Sequence, residues 1–277
     1  LLAVCGGSRF IARKDTLMTI HTLASGSEGN CLLLSDGDVH LLLDAGISTR
    51  RIKTGLLQLG LTMADVDGVL ITHEHSDHVS GLQTMVKHHR IPIYTSPGTA
   101  RQLAYRIAGI ESLLRPVEPG TVFSVGDCRV TVFRTSHDAA QSVDYRVDGS
   151  AAVGFLTDTG YVTPEAEAAL AGVDTLVLES NHDVEWLRSG PYPYYLRARI
   201  ESTRGHLSND ECSAKLLELI QEGCKKFALC HLSQENNTPA LALQTVFNTL
   251  GAAGVVPEKD CIVQAQRRNE MSPVLEF

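Results

Sequence analysis

Between residues 72 and 78 the chain reads Thr72-His73-Glu74-His75-Ser76-Asp77-His78. Three imidazoles and the Asp77 carboxylate fall within six residues. Crowding so many nitrogen and oxygen donors together is costly unless a cation neutralises the carboxylate and satisfies the nitrogens. The run reads as a metal site, and its density as a site for two ions. The plainer reading is a polar surface loop that carries histidine by chance. Against it stand the rarity of histidine, eleven in the whole chain, and the matching His and Asp residues further along.

Those partners follow a rule: each comes where an apolar run ends. The run at 66–71 leads into the histidine segment, and 129–134 leads to Ser136-His137-Asp138. Residues 152–156 lead to Asp158, 174–178 to Glu179 with His182 close by, and 227–230 to His231. Strand ends are where α/β proteins gather ligands, because the sheet fixes the backbone while side chains project into a shared crevice. His73, His75 and His137 could hold one ion, and Asp77, His78 and His231 a second. Asp158, with two oxygens, suits a bridge. Zinc fits this set, manganese or iron would tolerate it, and no cysteine need take part. Two ions roughly 3.5–4 Å apart would activate an oxygen nucleophile and stabilise charge developing on an oxygen.

The elements that must carry these residues are legible in outline. Strands are expected at 20–23, 31–35 and 39–44, the last two joined by Asp36-Gly37-Asp38, a hairpin signal. Further strands fit 66–71, 92–94, 121–124, 129–134, 152–156, 174–178 and 227–230. Helices fit 49–59, 81–89, 164–171, 209–222 and 240–250. Gly60 is placed to end the first, and Thr163-Pro164 to begin the third. Strands first, then strands mixed with helices, suit a layered α/β protein with two sheets inside and helices outside.

Composition narrows the class. With 277 residues and 43% apolar residues the chain can bury a large core, and no shift in composition divides it. Residues 18–277 are expected to form a single domain. Residues 1–17 precede Met18, where strand-like alternation starts, and are expected to be a non-native or disordered extension. A net charge of −8 argues against coating duplex DNA through bulk positive charge, though metals can supply local charge in a nuclease. The seven cysteines are odd in number, scattered and without a C-x-x-C pair, which suits reduced, buried thiols in a cytoplasmic protein. No stretch is long enough to span a membrane.

The H-x-H-x-D-H run with His137, Asp158 and His231 resembles the metallo-β-lactamase superfamily over roughly residues 18–250. That resemblance implies an α/β fold, an αββα four-layer sandwich with a dinuclear site at one edge of its sheets. Leu23-Ala24-Ser25-Gly26-Ser27-Glu28-Gly29-Asn30-Cys31, Ser136-His137-Asp138-Ala139, Asp158-Thr159-Gly160-Tyr161-Val162, Glu179-Ser180-Asn181-His182-Asp183, Gly205-His206-Leu207-Ser208-Asn209 and His231-Leu232-Ser233 are similar to the bacterial YycJ/WalJ-type hydrolases. They imply a metal-dependent nuclease, a 5′ exonuclease on single-stranded DNA. Glu179 and His206 resemble the Glu–His pair of ribonuclease Z, where the histidine aids proton transfer at the scissile phosphate.

Other residues have two readings. The turn holding Ser25 and Asn30 could present backbone N–H groups to a phosphate, or be a tight connection. His206 could serve catalysis or a helix-capping loop, and His182 is open in the same way. Arg188, Tyr192, Tyr194, Tyr195, Arg197, Arg199 and Arg204 could grip a nucleic acid strand by stacking and phosphate contact, or cover the core as a surface insertion. His88 and His89 are expected on an exposed helix end and not as ligands. Asp77 is expected to be both a ligand and an orienter of the nucleophile, so Asp77→Ala should abolish hydrolysis and leave the fold intact. A glyoxalase II-like thioesterase, or other small-ester hydrolase, would use the same ligands. A di-iron redox protein would carry Glu where this chain has His75. A metal-bearing binding module would not need the complete ligand set.

Overall fold

In the computed structural model, which describes residues 17–276, three antiparallel strands come first: β1 (Thr19–Ala24), β2 (Cys31–Asp36) and β3 (Val39–Leu43). Asp36 pairs with Val39 across the expected hairpin, and Gly37 at its corner takes φ +60°, a backbone conformation that glycine adopts without steric cost. Then come α1 (Thr49–Gln58), β4 (Gly68–Leu70), α2 (Ser76–Val79), α3 (Leu82–His88), β5 (Ile93–Thr95), α4 (Pro97–Arg106) and β6 (Leu114–Pro116). β3, β4, β5 and β6 pair in parallel.

The second half follows the same plan. An antiparallel meander of β7 (Val122–Val125), β8 (Cys128–Arg134), β9 (Val143–Asp148) and β10 (Ala152–Leu156) is followed by α5 (Pro164–Leu170) and β11 (Thr175–Glu179). The chain continues through α6 (Val184–Ser189), α7 (Tyr194–Ile200), α8 (Asn209–Gln221), β12 (Lys226–Cys230), α9 (Pro239–Ala252) and β13 (Ile262–Ala265). β10 to β13 pair in parallel, and β14 (Leu275–Glu276) returns to the free side of β1. Each sheet has seven strands, in the orders β14-β1-β2-β3-β4-β5-β6 and β13-β12-β11-β10-β9-β8-β7.

Side-chain alternation builds the layers. Leu32, Leu34, Leu41 and Leu43 face Val130, Val132, Val153 and Phe155 between the sheets, while Leu33 and Leu42 face the other way onto Ile52, Leu56, Leu82 and Met85. On the second sheet Phe155 and Val177 point inward, and Leu156, Leu176 and Leu178 meet Leu170, Leu216 and Val246 of the outer helices. Two-residue periodicity with both faces apolar requires this burial on both sides. The result is the αββα four-layer sandwich. Tyr145 of β9, fully buried, crosses between the sheets and donates to the Ile71 carbonyl at 2.7 Å, just before the histidine run. It ties the two sheets together where the site begins.

Several elements differ from expectation. α4, α6, α7, β6, β9 and the short α2 are absent from the sequence reading, as are β13 and β14. The strand expected over 66–71 is confined to Gly68–Leu70. The extension expected over 1–17 lies, apart from Leu17, outside the described residues. Six cysteines from Cys31 to Cys261 are buried and unpaired, as the spacing suggested. Among the described residues no helix is long and apolar enough to cross a membrane.

Candidate metal centre

The donors converge where the two sheets meet. His73, His75, Asp77 and His78 follow β4 of one sheet; His137, Asp158 and His231 follow β8, β10 and β12 of the other, and Glu179 ends its β11. Among the described residues four groups have all their donor atoms within 4.8 Å of one another: His73, His75 and His137; Asp77, His78 and His231; His73, His78 and Asp158; and Asp158, Glu179, His206 and His231. Asp158 lies between the first two. Its Oδ2 is 3.2 Å from His78 Nε2, and its Oδ1 is 3.5 Å from His231 Nε2 and 3.7 Å from His137 Nε2. Asp77 Oδ2 is 3.3 Å from the Nε2 atoms of both His78 and His231.

Outer hydrogen bonds decide which nitrogen each ring offers. His78 Nδ1 donates to Asp44 Oδ2 at 2.7 Å, and His137 Nδ1 donates to the Gly205 carbonyl at 3.1 Å. The Thr72 hydroxyl gives its proton to Asp44, so it accepts from His73 Nδ1 at 3.0 Å. His231 Nδ1 donates to Glu179 Oε1 at 3.2 Å. In these four rings Nδ1 is committed outward and Nε2 faces the cage, the atom left to take up a cation, the arrangement by which outer partners fix metal-ligand tautomers. His73 Nε2 is buried and has no hydrogen-bond partner in the protein. Such a nitrogen is expensive unless a cation completes it. Donors around a tetrahedral zinc, at bond lengths of about 2.0–2.2 Å, stand about 3.3–3.6 Å apart. The spacings above match that figure, and the residues present fit a pair of divalent ions.

Electrostatics agree. Burial opposes charge on His78 and His231, yet Asp158 and the neighbouring carboxylates override it and hold both well above the ordinary imidazole value. Burial keeps His73 well below that value. Burial would likewise raise Asp158 and Asp77, but the surrounding histidines hold both carboxyls low. The carboxylates demand positive charge at the rings' inner faces. Asp44, Asp158 and His231 also adopt φ of +59°, +51° and +52°. For non-glycine residues that conformation costs roughly 1–2 kcal/mol each, and the packed sheets hold it in place.

Beside the cage, His206 Nδ1 lies 2.6 Å from Glu179 Oε1. Glu179 Oε2 accepts from the Thr159 and Leu207 backbone N–H groups at 3.0 and 3.4 Å. With His231 also donating, this fully buried carboxylate is saturated by partners. Burial pushes its pKa up, but His206 and His231 bring it down to about 2. His206 is held from below by the capping box of α8, where Ser208 Oγ accepts from Glu211 N at 3.2 Å and Glu211 Oε2 accepts from Ser208 N at 2.8 Å. The capping-loop reading of this segment therefore describes a real feature of it, and the same loop sets His206 against Glu179.

The residues expected to touch substrate divide into two groups. Ser25, Asn30 and His182 are 2%, 4% and 2% exposed and are turned into the protein. Ser25 Oγ accepts from the His231 backbone N–H at 2.8 Å, and Asn30 lies 3.5 Å from Asp77 Oδ2 and 3.2 Å from His78 Nε2. Ser25 and Asn30 thus brace the donors, a placement the turn chemistry did not reveal, while the buried His182 Nδ1 has no hydrogen-bond partner in the protein. Arg188 and Tyr194 sit in the α6–α7 excursion. Tyr194 and Tyr195 are 79% and 75% exposed, so they do not cover the core. Arg188 pairs with Glu201 at 2.8 Å, and Arg204 donates to the His137 carbonyl at 3.1 Å, fastening the excursion beside the cage. Residues missed by the sequence reading include Asp44, Thr72, Asn181 and Glu74. The Glu74 carboxylate accepts from Ala140 N and Thr99 Oγ1, at 2.8 and 3.1 Å, and so braces the histidine loop.

Residues 40–231 match the beta-lactamase superfamily domain, and the chain belongs to that superfamily. With this fold and donor set it is a metal-dependent hydrolase. It is 36% identical to the exodeoxyribonuclease YycJ of Bacillus anthracis over 239 residues, 84% of this chain and 89% of that protein. It is 35% identical to the exodeoxyribonuclease WalJ of Streptococcus pneumoniae over 260 residues, 92% of this chain and 96% of that one. A shorter match, 35% over 124 residues, covers 42% of this chain and 43% of the ribonuclease Z of Methanopyrus kandleri. Among solved structures, the metallo-beta-lactamase fold protein YhfI of Bacillus subtilis superposes with a TM-score of 0.68 at 17% identity. The match covers 94% of this chain and 100% of that one, a likeness of fold.

Proposed function

We propose that this protein is a cytoplasmic phosphodiesterase that shortens single-stranded DNA from its 5′ end. The observation that carries the reading is the Glu179–His206 pair, 2.6 Å apart and set against the donor cage. Two relatives named exodeoxyribonuclease, each matched over most of its length, support it. Residues 18–277 act as one catalytic unit, because the donors come from both sheets and neither sheet completes the cage alone.

His73, His75 and His137 would hold one divalent ion and Asp77, His78 and His231 another, with Asp158 shared. Zinc is favoured, manganese and iron are tolerated, and such ions activate water and neutralise charge on phosphate oxygens. The chain's own groups do the rest. Asp77 orients the attacking water. His206, with Nδ1–H committed to Glu179, directs Nε2 outward from a side chain 17% exposed, and a proton held there passes to the leaving oxygen. Glu179 stabilises the positive charge on the ring while that proton is present. Arg188 and Tyr194, with Tyr195, present a cation and two rings for strand contact. Stacking of this kind contributes about 1–3 kcal/mol per base.

The test is a panel of 5′-phosphorylated single-stranded DNA, RNA and a glutathione thioester, with zinc or manganese supplied. Stepwise loss from the 5′ end of the DNA is expected. In the His206→Gln variant kcat should fall by about 10²–10⁴-fold with metal content unchanged. Turnover of the thioester alone would replace this reading with a small-ester hydrolase.

A further inference from the structure

One carboxylate beside the cage has an oxygen that the protein leaves unsatisfied. Asp138 follows His137 directly, and the donor atoms of the two residues face each other. His137 Nδ1 gives its proton to the Gly205 carbonyl, so Nε2 carries a lone pair. Asp138 Oδ1 lies 3.4 Å from that nitrogen and 3.9 Å from His75 Nε2. This oxygen is buried and accepts no hydrogen bond from the protein. The other oxygen, Oδ2, accepts from Arg199 Nε of α7 at 2.5 Å. A carboxylate oxygen and a ring lone pair at this distance, shielded from water, repel one another. A cation beside them turns that repulsion into two bonds.

From this juxtaposition we infer that Asp138 is a further donor to the ion held by His73, His75 and His137. That ion then has a carboxylate of its own in addition to the shared Asp158. Asp138 divides its charge between the ion and Arg199, so α7 is tied to the metal centre through one side chain. The inference rests on the two-ion reading above and extends it to a residue outside the expected ligand set.

Cobalt(II) titration of the full chain tests it, read by visible absorption and by competition with a chelator. The unaltered protein should bind two cobalt ions. Asp138→Ala should bind one of them about tenfold or more weakly, with more intense visible bands as that ion loses a donor. Arg199→Ala removes the clamp but leaves the carboxylate, and should keep both ions and the original bands. Should the alanine variant not fold, Asp138→Asn, equal in shape, carries the test by the same criterion. Unchanged affinity and bands on loss of the carboxylate overturn the inference. So does an Arg199→Ala variant that matches Asp138→Ala, since the pair would then only anchor α7. If the unaltered protein fails to bind two ions, the two-ion reading falls with it. Two ions bound without any nuclease activity would leave Asp138's role standing and count against the nuclease reading alone.

Discussion

A neutral imidazole has one lone pair, and something must decide which nitrogen bears it. For His78 that decision is made by Asp44, fully buried, which accepts from Nδ1 at 2.7 Å while also holding the Thr72 backbone N–H at 2.9 Å. Replacing one Asp44 oxygen with an amide N–H opposes the tautomer the cage needs. Asp44→Asn should lower metal affinity by about 10–100-fold, measured by chelator competition, and an unchanged affinity would remove Asp44 from this role. Asp144 poses a different problem. It accepts from the Thr157 and Tyr145 backbone N–H groups at 2.7 and 3.0 Å, yet among the described residues no cation is paired with it. Burial, with added repulsion from Asp44, pushes its pKa well above the ordinary carboxylate range. The folded protein thus holds a proton that the unfolded chain releases near pH 3.9. The stability linked to that proton is fully present below the unfolded value and is lost as pH rises through the raised folded value. Relative to Asp144→Asn, which cannot titrate, the parent chain should lose stability as pH rises above about 4. Urea midpoints at several pH values would show it, and parallel curves for the two proteins would mean that Asp144 is ionised throughout.

At the scale of elements, close approach between loops places the donors. Gly46 follows β3, and a Cβ there would lie 1.6 Å from the Asp77 carbonyl oxygen. The loop after β3 and the loop that carries Asp77 can meet only because the side chain is missing. Gly46→Ala should therefore displace Asp77, cutting activity and metal content together. Near-parent metal content would show that the loops can separate without moving the ligand. This dependence also explains what could be read in advance. The donors were legible because they fall in the loops that directly follow apolar strands, a local signal. The helices at 164 and 209 were legible because Thr163-Pro164 and Ser208 with Glu211 are local caps. Asp44 and Gly205 were not, since their histidine partners lie 34 and 68 residues away in the chain. β9 (Val-Asp-Tyr-Arg-Val-Asp) carries the alternation of a strand with one polar face, a signal the sequence did offer. What that pattern could not show is that one of its charged residues, Asp144, is buried. The buried roles of Ser25, Asn30 and His182 were hidden for the same reason: turn chemistry does not reveal which way a side chain will face.

At the scale of the whole molecule, the site is a joint between two sheets. Four donors follow β4 in one sheet, while His137, Asp158 and His231 follow strands of the other, so bound ions cross-link the two layers. Unfolding separates these donors, and the ions should bind the folded chain far more tightly than the unfolded one. Free metal at a hundred times its dissociation constant adds about 2.7 kcal/mol by mass action for a single site. For a chain of this length, about 1 kcal/mol moves Tm by roughly 2–4 °C. Stripping the ions with a chelator should thus lower Tm by about 5–10 °C, and excess zinc should restore it. Asp158→Ala removes the carboxylate that stands between both ligand groups, so its Tm should respond much less to the same treatment. His88→Ala, a change on the far end of α3 outside the cage, should respond as the parent does. A parent protein shown to carry two ions, yet melting at the same temperature after they are removed, would mean that the sheets hold the cage without help from its contents. The strain at Asp44, Asp158 and His231 would then be sustained by packing alone.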